Sequence, residues 1–254
     1  MIGNLKYKIL FVIALIFVVP AVSSASDTRL DYVKNQLISS GLNKTSVNKV
    51  LADKRIRLYQ LKVVAYKAPN WQIIESKLLS QSLVQTGAAY IKNNQAVFDK
   101  AEQDFGVKKE VLAGIIAIET DFGKNLGGYP IFNVIYSRLE RWPQTQWKGQ
   151  AGELVALIKY CLKSKIDCFG IKGSYAGAFG LVQFMPSSLL AYGIDGNKNG
   201  IIELSKPADA IPSAANFLKA HGWQTNQLKA LTSYYGSPVG YPNIVLSYAS
   251  LLSK

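Results

Sequence analysis

The chain has 254 residues, 49% hydrophobic and 18% charged, with 29 Lys and Arg against 16 Asp and Glu for a formal net charge of +13. That suffices for one large core, or a core with a smaller lobe. One histidine and two cysteines leave no material for a histidine–cysteine metal centre, and with no G-x-S-x-G elbow beside it His221 makes a poor hydrolase base.

The first 25 residues read as an export segment. Lys6 and Lys8 precede the unbroken apolar run Ile9 to Val19, and Ser23-Ser24-Ala25 offers small residues for cleavage. The run is eleven residues long, and a membrane span wants about 20; an uncleaved anchor is the alternative. No cysteine follows the small residues, so no lipid anchor is expected and the predicted location is the periplasm. Removal of this segment takes away two lysines and no acids, leaving 27 − 16 = +11. Such a surface favours an anionic partner. For an exported protein, a wall polymer or membrane surface is the better match, and no aromatic-basic signature of nucleic-acid binding is present.

The pattern from there on is helical. Asp27 to Ser40 sets Leu30, Val33, Leu37 and Ile38 on one face and stops at Gly41. Thr45 to Asp53 reads as a short second helix, and Ile73 to Phe105 as one or two long ones. Val111 to Thr120 follows, then Gly149 to Lys165. Cys161 and Cys168 lie seven apart; in an oxidising compartment a local disulfide is expected, with two independent thiols as the alternative. FGIKGSYAGAFG, from Phe169 to Gly180, is a glycine-rich connection, and Pro186 opens a short helix. Asp195 to Lys206 is a polar loop. Pro207 to Ala220 is a helix ending at His221-Gly222, where the histidine is read as structural. Two last helices, near Gln227 to Tyr235 and Tyr241 to Leu252, flank GSPVG. No alternating strand pattern stands out, so the fold class is all-α.

The most informative stretch is Val111 to Gly123, VLAGIIAIETDFG. Eight residues from Val111 to Ile118 carry no polar side chain, and Glu119 ends the run. A carboxylate at the edge of a buried helix loses solvation, which disfavours its charged form and suits it to act as a general acid. A helix-end glutamate facing water is the alternative. Asp121 falls on another face and reads as a solvated or capping residue. Gln183, in GLVQFMP, is a polar side chain between apolar neighbours, fit for a core network or a ligand. Tyr234, Tyr235 and Tyr241 surround the Gly-Ser-Pro turn, and tyrosines serve equally as core fillers or as sugar platforms.

Four blocks occur in order: AEQDFGVKKEVLAGIIAIETDFG, KGSYAGAFGLVQFMPSS, PADAIPSAANFLKAHGW and LTSYYGSPVGYPNIVLSYA. Together they resemble the lytic transglycosylase B family, which cleaves bacterial peptidoglycan. The resemblance runs from about Trp71 to Leu252. It implies a lysozyme-like helical catalytic domain over about 71–254, with additional N-terminal helices over about 26–70. It implies Glu119 as the sole catalytic acid and base, which breaks the bond between N-acetylmuramic acid and N-acetylglucosamine without water and leaves a 1,6-anhydro ring. A muramidase-type hydrolase and a non-catalytic wall-binding protein are the rival readings. By the same carry-over Ser174 and Gln183 line the sugar site, and Tyr234 and Tyr241 stand near the glutamate, in a turn one residue longer than the family's. Expected partners are glycan strands and, beyond them, cell-wall synthases, with a monomeric chain.

Three departures from the family pattern stand out. Gln144 and Thr145 follow Pro143 where paired arginines are usual, Phe217 replaces a tyrosine, and Tyr235 replaces an asparagine. No cofactor is required by the resemblance. The family can carry a calcium loop, and Asp195, Asn197 and Asn199 are weak ligand candidates here. Lys206 stands at the twelfth position, where a carboxylate belongs. A loop held by asparagine turns is therefore expected.

Overall fold

A computed structural model describes residues 25–59, 69–141, 143, 146–237 and 239–254. Residues 1–24 of the expected export segment, together with Gln144 and Thr145, lie outside them. Helices α1 (Ala25–Ser39) and α2 (Lys44–Leu51) open the described chain. Asn43 caps α2, accepting a hydrogen bond from the Ser46 amide. Next come α3 (Trp71–Leu78), α4 (Gln81–Asn93) and α5 (Gln95–Phe105). The expected one or two long helices are thus three. They break where polar side chains compete for backbone groups: Ser80 Oγ donates to the Lys77 carbonyl, and Asn94 Nδ2 to that of Tyr90.

Helix α6 (Lys109–Thr120) carries the apolar run, with every residue from Val111 to Ala117 buried. It is followed by α7 (Ile131–Arg141), α8 (Trp147–Ser164), α9 (Pro186–Tyr192), α10 (Pro207–Ala220), α11 (Gln227–Tyr235) and α12 (Tyr241–Leu252). Helix α7 sets Ile131, Val134, Ile135 and Leu139 at helical spacing and buries Asn133, Ser137 and Arg138 along with them. Asn133 Oδ1 accepts from the Arg57 amide at 3.1 Å, Ser137 Oγ from the Tyr59 amide at 2.6 Å, and Arg138 Nε donates to Gln150 Oε1 at 3.1 Å. These polar groups face other chain segments, so their burial is compensated.

One small sheet interrupts the helices among the described residues. Strand β1 (Tyr129–Pro130) pairs antiparallel with β2 (Lys172–Gly173), Tyr129 opposite Gly173. Cys161 and Cys168 form a disulfide with Cα atoms 5.4 Å apart. It ties the end of α8 to the segment entering β2.

A single core joins α1 to the rest, through Val33, Leu37, Phe98, Leu112, Ile115, Phe132, Leu157, Phe217 and Val245. Burying each such side chain contributes about 1.5–3 kcal/mol. A smaller cluster of Leu78, Leu83, Ala117, Ile244 and Tyr248 sits under the last turns of α6. Among the described residues no helix is long and apolar enough to cross a membrane.

Candidate active site

Helix α6 delivers its carboxylate from a rigid base. Glu119 lies half-buried in the last turn, directly beyond the buried run. Next to it, the buried Thr120 bonds its hydroxyl to the Ile116 and Leu181 carbonyls, both at 3.1 Å, and accepts from the Gly123 amide at 3.2 Å. Asp121 and Phe122 then turn the chain away with φ of +50° and +55°. Two successive non-glycine residues in the left-handed region cost about 1–3 kcal/mol each, and such strain gathers at functional sites. Asp121 caps the helix and pairs with Lys124 at 3.4 Å and Lys77 at 3.9 Å. It is a capping residue held by lysines.

Helix α12 brings the second component. The absence of a side chain at Gly114 lets α6 and α12 approach: a Cβ there would lie 3.3 Å from the Val245 carbonyl. At the start of α12 the fully buried Tyr241 donates its hydroxyl to Glu119 Oε1 at 3.0 Å. Burial, with the charge of Glu119 adding to it, pushes the Tyr241 phenol well above its ordinary value, so it stays protonated and serves as a donor. Tyr234 stacks parallel to Tyr241 at 6.2 Å, and Tyr235 stacks on Tyr241 at 4.6 Å. Trp71 meets Tyr235 edge-on at 5.3 Å. An aromatic wall therefore runs from α3 to the acid.

The glycine-rich segment forms the facing part. Phe179 and Phe184 exchange backbone bonds across a tight turn, in which Gln183 takes φ of +45°. The Gln183 amide donates from Nε2 to the Gly180 carbonyl at 2.9 Å and to that of Leu126 at 3.4 Å. Its Oε1 has no partner among the described residues. Ser174 Oγ accepts from the Ala176 and Ala178 amides at 3.3 and 3.1 Å. Tyr234 is buried and gives its hydroxyl to the Val182 carbonyl at 2.7 Å.

The residues singled out from sequence thus fall into two sets. Tyr234 and Tyr241 are buried supports around Glu119 and its facing turn, whereas Ser174 and Gln183 keep polar capacity on the glycine-rich segment. Phe217 is buried in the same layer, stacked on His221 at 4.0 Å. His221 Nδ1 lies 2.7 Å from the Phe217 carbonyl at the end of α10, a structural position. Sequence reasoning missed Thr120. A hydroxyl directly after the acid at a helix end was the available signal.

The Asp195–Lys206 loop is built differently from the twelve-residue pattern. Asp195 accepts from the Asn199 and Gly200 amides at 3.1 and 2.7 Å, and Asn197 from that of Asn199 at 3.0 Å. Asn199 Oδ1 accepts from Ile201 at 2.9 Å. A second carboxylate enters from beyond Lys206: Asp209, fully buried in the first turn of α10, accepts from Gly196 at 3.0 Å and Glu203 at 2.7 Å. All four carboxylate oxygens are spent on amides. No group of three or more His, Cys, Asp or Glu placed to hold a metal ion occurs among the described residues. With Lys206 at the position of the closing carboxylate, the loop lacks the bidentate ligand of the calcium pattern, and it stands on its amide bonds.

The helical domain, with its half-buried, tyrosine-bonded carboxylate at the end of α6, has a lysozyme-like fold. The chain is a member of the Transglycosylase SLT domain family, which matches residues 25–234. It is 30% identical over 224 residues to membrane-bound lytic murein transglycosylase B of Escherichia coli (strain K12), covering 84% of this chain and 62% of that protein. The chain thus spans under two thirds of that relative's length. Two solved structures share the fold. The E. coli lytic transglycosylase Slt35 in complex with bulgecin A has a TM-score of 0.78 at 21% identity, over 89% of this chain and 92% of that one. The soluble lytic transglycosylase SltB1 from Pseudomonas aeruginosa has a TM-score of 0.79 at 21% identity, over 89% and 98%.

Proposed function

We propose that the chain is a peptidoglycan lytic transglycosylase in which Glu119 acts first as acid and then as base. Family membership supports the reaction class. The observation that carries the assignment of the residue is the bond from the buried Tyr241 hydroxyl to Glu119 Oε1. The protonated Glu119 gives its hydrogen to the glycosidic oxygen between N-acetylmuramic acid and N-acetylglucosamine, and the C1–O bond breaks. The acetamido oxygen of the muramoyl sugar closes on C1 as positive charge develops there. The C6 hydroxyl then attacks C1, displaces that oxygen and returns its proton to the Glu119 carboxylate. No water is consumed. The usual hydrolase needs a second carboxylate at a set separation, whereas a hydroxyl of the same sugar supplies a high effective concentration.

In this reading Tyr241 orients the acid, Tyr234 braces Tyr241 and the facing turn, and Ser174 and Gln183 contact the sugars. Residues 26–70 add helices to a catalytic core over 71–254. The export segment takes the chain to the periplasm as a monomer, where glycan strands are the substrate and wall synthases the protein partners. Digestion of isolated sacculi by the wild-type protein tests it. Products one water lighter than hydrolysed muropeptides, absent with a folded Glu119→Gln, are expected. Products of hydrolysed mass would establish the muramidase instead, and undiminished release by Glu119→Gln would remove Glu119 from the chemistry.

A further inference from the structure

Residues 55–59, which follow α2, run over α7 as a strap. The Arg57 and Tyr59 amides bond Asn133 and Ser137, and Asn133 Nδ2 donates back to the Arg55 carbonyl at 3.1 Å. This fixes the Tyr59 ring against Tyr129, edge to face, with centroids 5.7 Å apart. Tyr129 is 39% exposed, although a ring of that size ordinarily hides in a core. It stands on β1 opposite Gly173, the residue before Ser174. Two positions earlier, Gly127 packs so closely that a Cβ there would lie 2.7 Å from the Ser174 amide nitrogen. The aromatic pair therefore continues the segment that bears Ser174.

Its surroundings are cationic. Arg141 donates to the Tyr59 carbonyl at 3.3 Å, and Arg57 lies two residues before Tyr59; both are exposed. A flat aromatic ring packs on the apolar face of a pyranose, and guanidinium and ammonium groups attract carboxylates. We propose that Tyr59 and Tyr129 form an accessory platform for a saccharide ring of the glycan strand, with Arg57 and Arg141 attracting the carboxylates of its stem peptide. The platform rests on the functional reading above for its ligand but uses none of the residues assigned to bond cleavage.

Co-sedimentation of the protein with isolated sacculi, in a Glu119→Gln background so that no strand is cut, tests it. Tyr129→Ala and Tyr59→Ala are each expected to lose about five- to tenfold in affinity, and Tyr129→Phe to keep more than half of it. Arg141→Ala should weaken binding at low ionic strength and lose its effect at high salt. If Tyr129→Ala melts early, Tyr129→Leu carries the test, since it keeps an apolar cover but no flat ring. Parental affinity in a normally folded Tyr129→Leu would overturn the platform. Muropeptide release by protein with Glu119 intact is scored separately. Affinity lost in the variants without any release from the parent would sink the enzymatic reading and leave the platform standing.

Discussion

Tyr241 and Glu119, 122 positions apart in sequence, meet where α12 begins and α6 ends, the phenol donating to Oε1 across 3.0 Å. The phenol is fully buried, so this donor cannot be exchanged for water without opening the junction between the two helices. Tyr241→Phe removes the hydroxyl and keeps the ring between Tyr234 and Tyr235. A hydrogen bond to a charged group is worth about 1.5–3 kcal/mol. Turnover should therefore fall about 10- to 100-fold, while the melting temperature moves little. Steady-state kinetics on sacculi together with a thermal melt check this. An equal loss of stability and activity would make the tyrosine a packing residue.

Thr120→Val tests the backbone frame of the acid. The substitution preserves shape but leaves the Leu181 carbonyl without its partner, at a cost of about 1–3 kcal/mol. Turnover should drop with substrate affinity retained, because Glu119 loses its register relative to the facing turn. Urea unfolding and a comparison of kcat with KM read the two effects apart.

Asp209→Ala removes two buried carboxylate–amide bonds, to Gly196 and Glu203. A loss of about 3 kcal/mol is expected, equal in EDTA and in millimolar calcium. A loss confined to the calcium buffer, read by differential scanning calorimetry, would show the carboxylate serving a cation instead.

Arg55 bonds Asp53 and Asp167 together and lies over the Phe169 ring at 4.4 Å. Bonding to the Arg55 side chain, with its backbone amide adding, lowers the Asp53 carboxyl to about 2. A depressed carboxyl stabilises the fold above its unfolded value, near 4, and the effect vanishes as pH falls through the folded one. The strap should therefore stay pinned at pH 5 and loosen between pH 4 and 2. Hydrogen exchange at the Arg55 amide, which Asp53 Oδ1 accepts at 2.9 Å, follows the release. Protection unchanged down to pH 2 would remove this anchor.

Much of the architecture was legible in sequence where a helix buries one face or all of them. Helix α6 was plain because nothing polar interrupts Val111 to Ile118, and Glu119 stands at its end. Helix α7 was overlooked although Ile131, Val134, Ile135 and Leu139 stand at helical spacing; what no local pattern encodes there is the burial of Asn133, Ser137 and Arg138, whose partners lie on the strap and on α8. The strand pair was missed because two residues each are too few to alternate. Asp209 was missed because the twelve-residue loop pattern ends at Lys206, and the carboxylate that closes the loop arrives three residues later on the next helix. The supports of the site depend on contacts between distant segments, such as Tyr234 with Val182, that no local pattern encodes.

Leu181 binds both of its neighbours through one peptide unit. Its amide donates to the Leu204 carbonyl at 2.7 Å, and its own carbonyl accepts the Thr120 hydroxyl at 3.1 Å. The polar loop and the end of α6 are thereby linked in series through a single residue. Leu204, in the polar loop, thus reaches Thr120, the neighbour of Glu119, through two hydrogen bonds. A substitution in the polar loop would be transmitted along that linkage to the backbone beside Glu119.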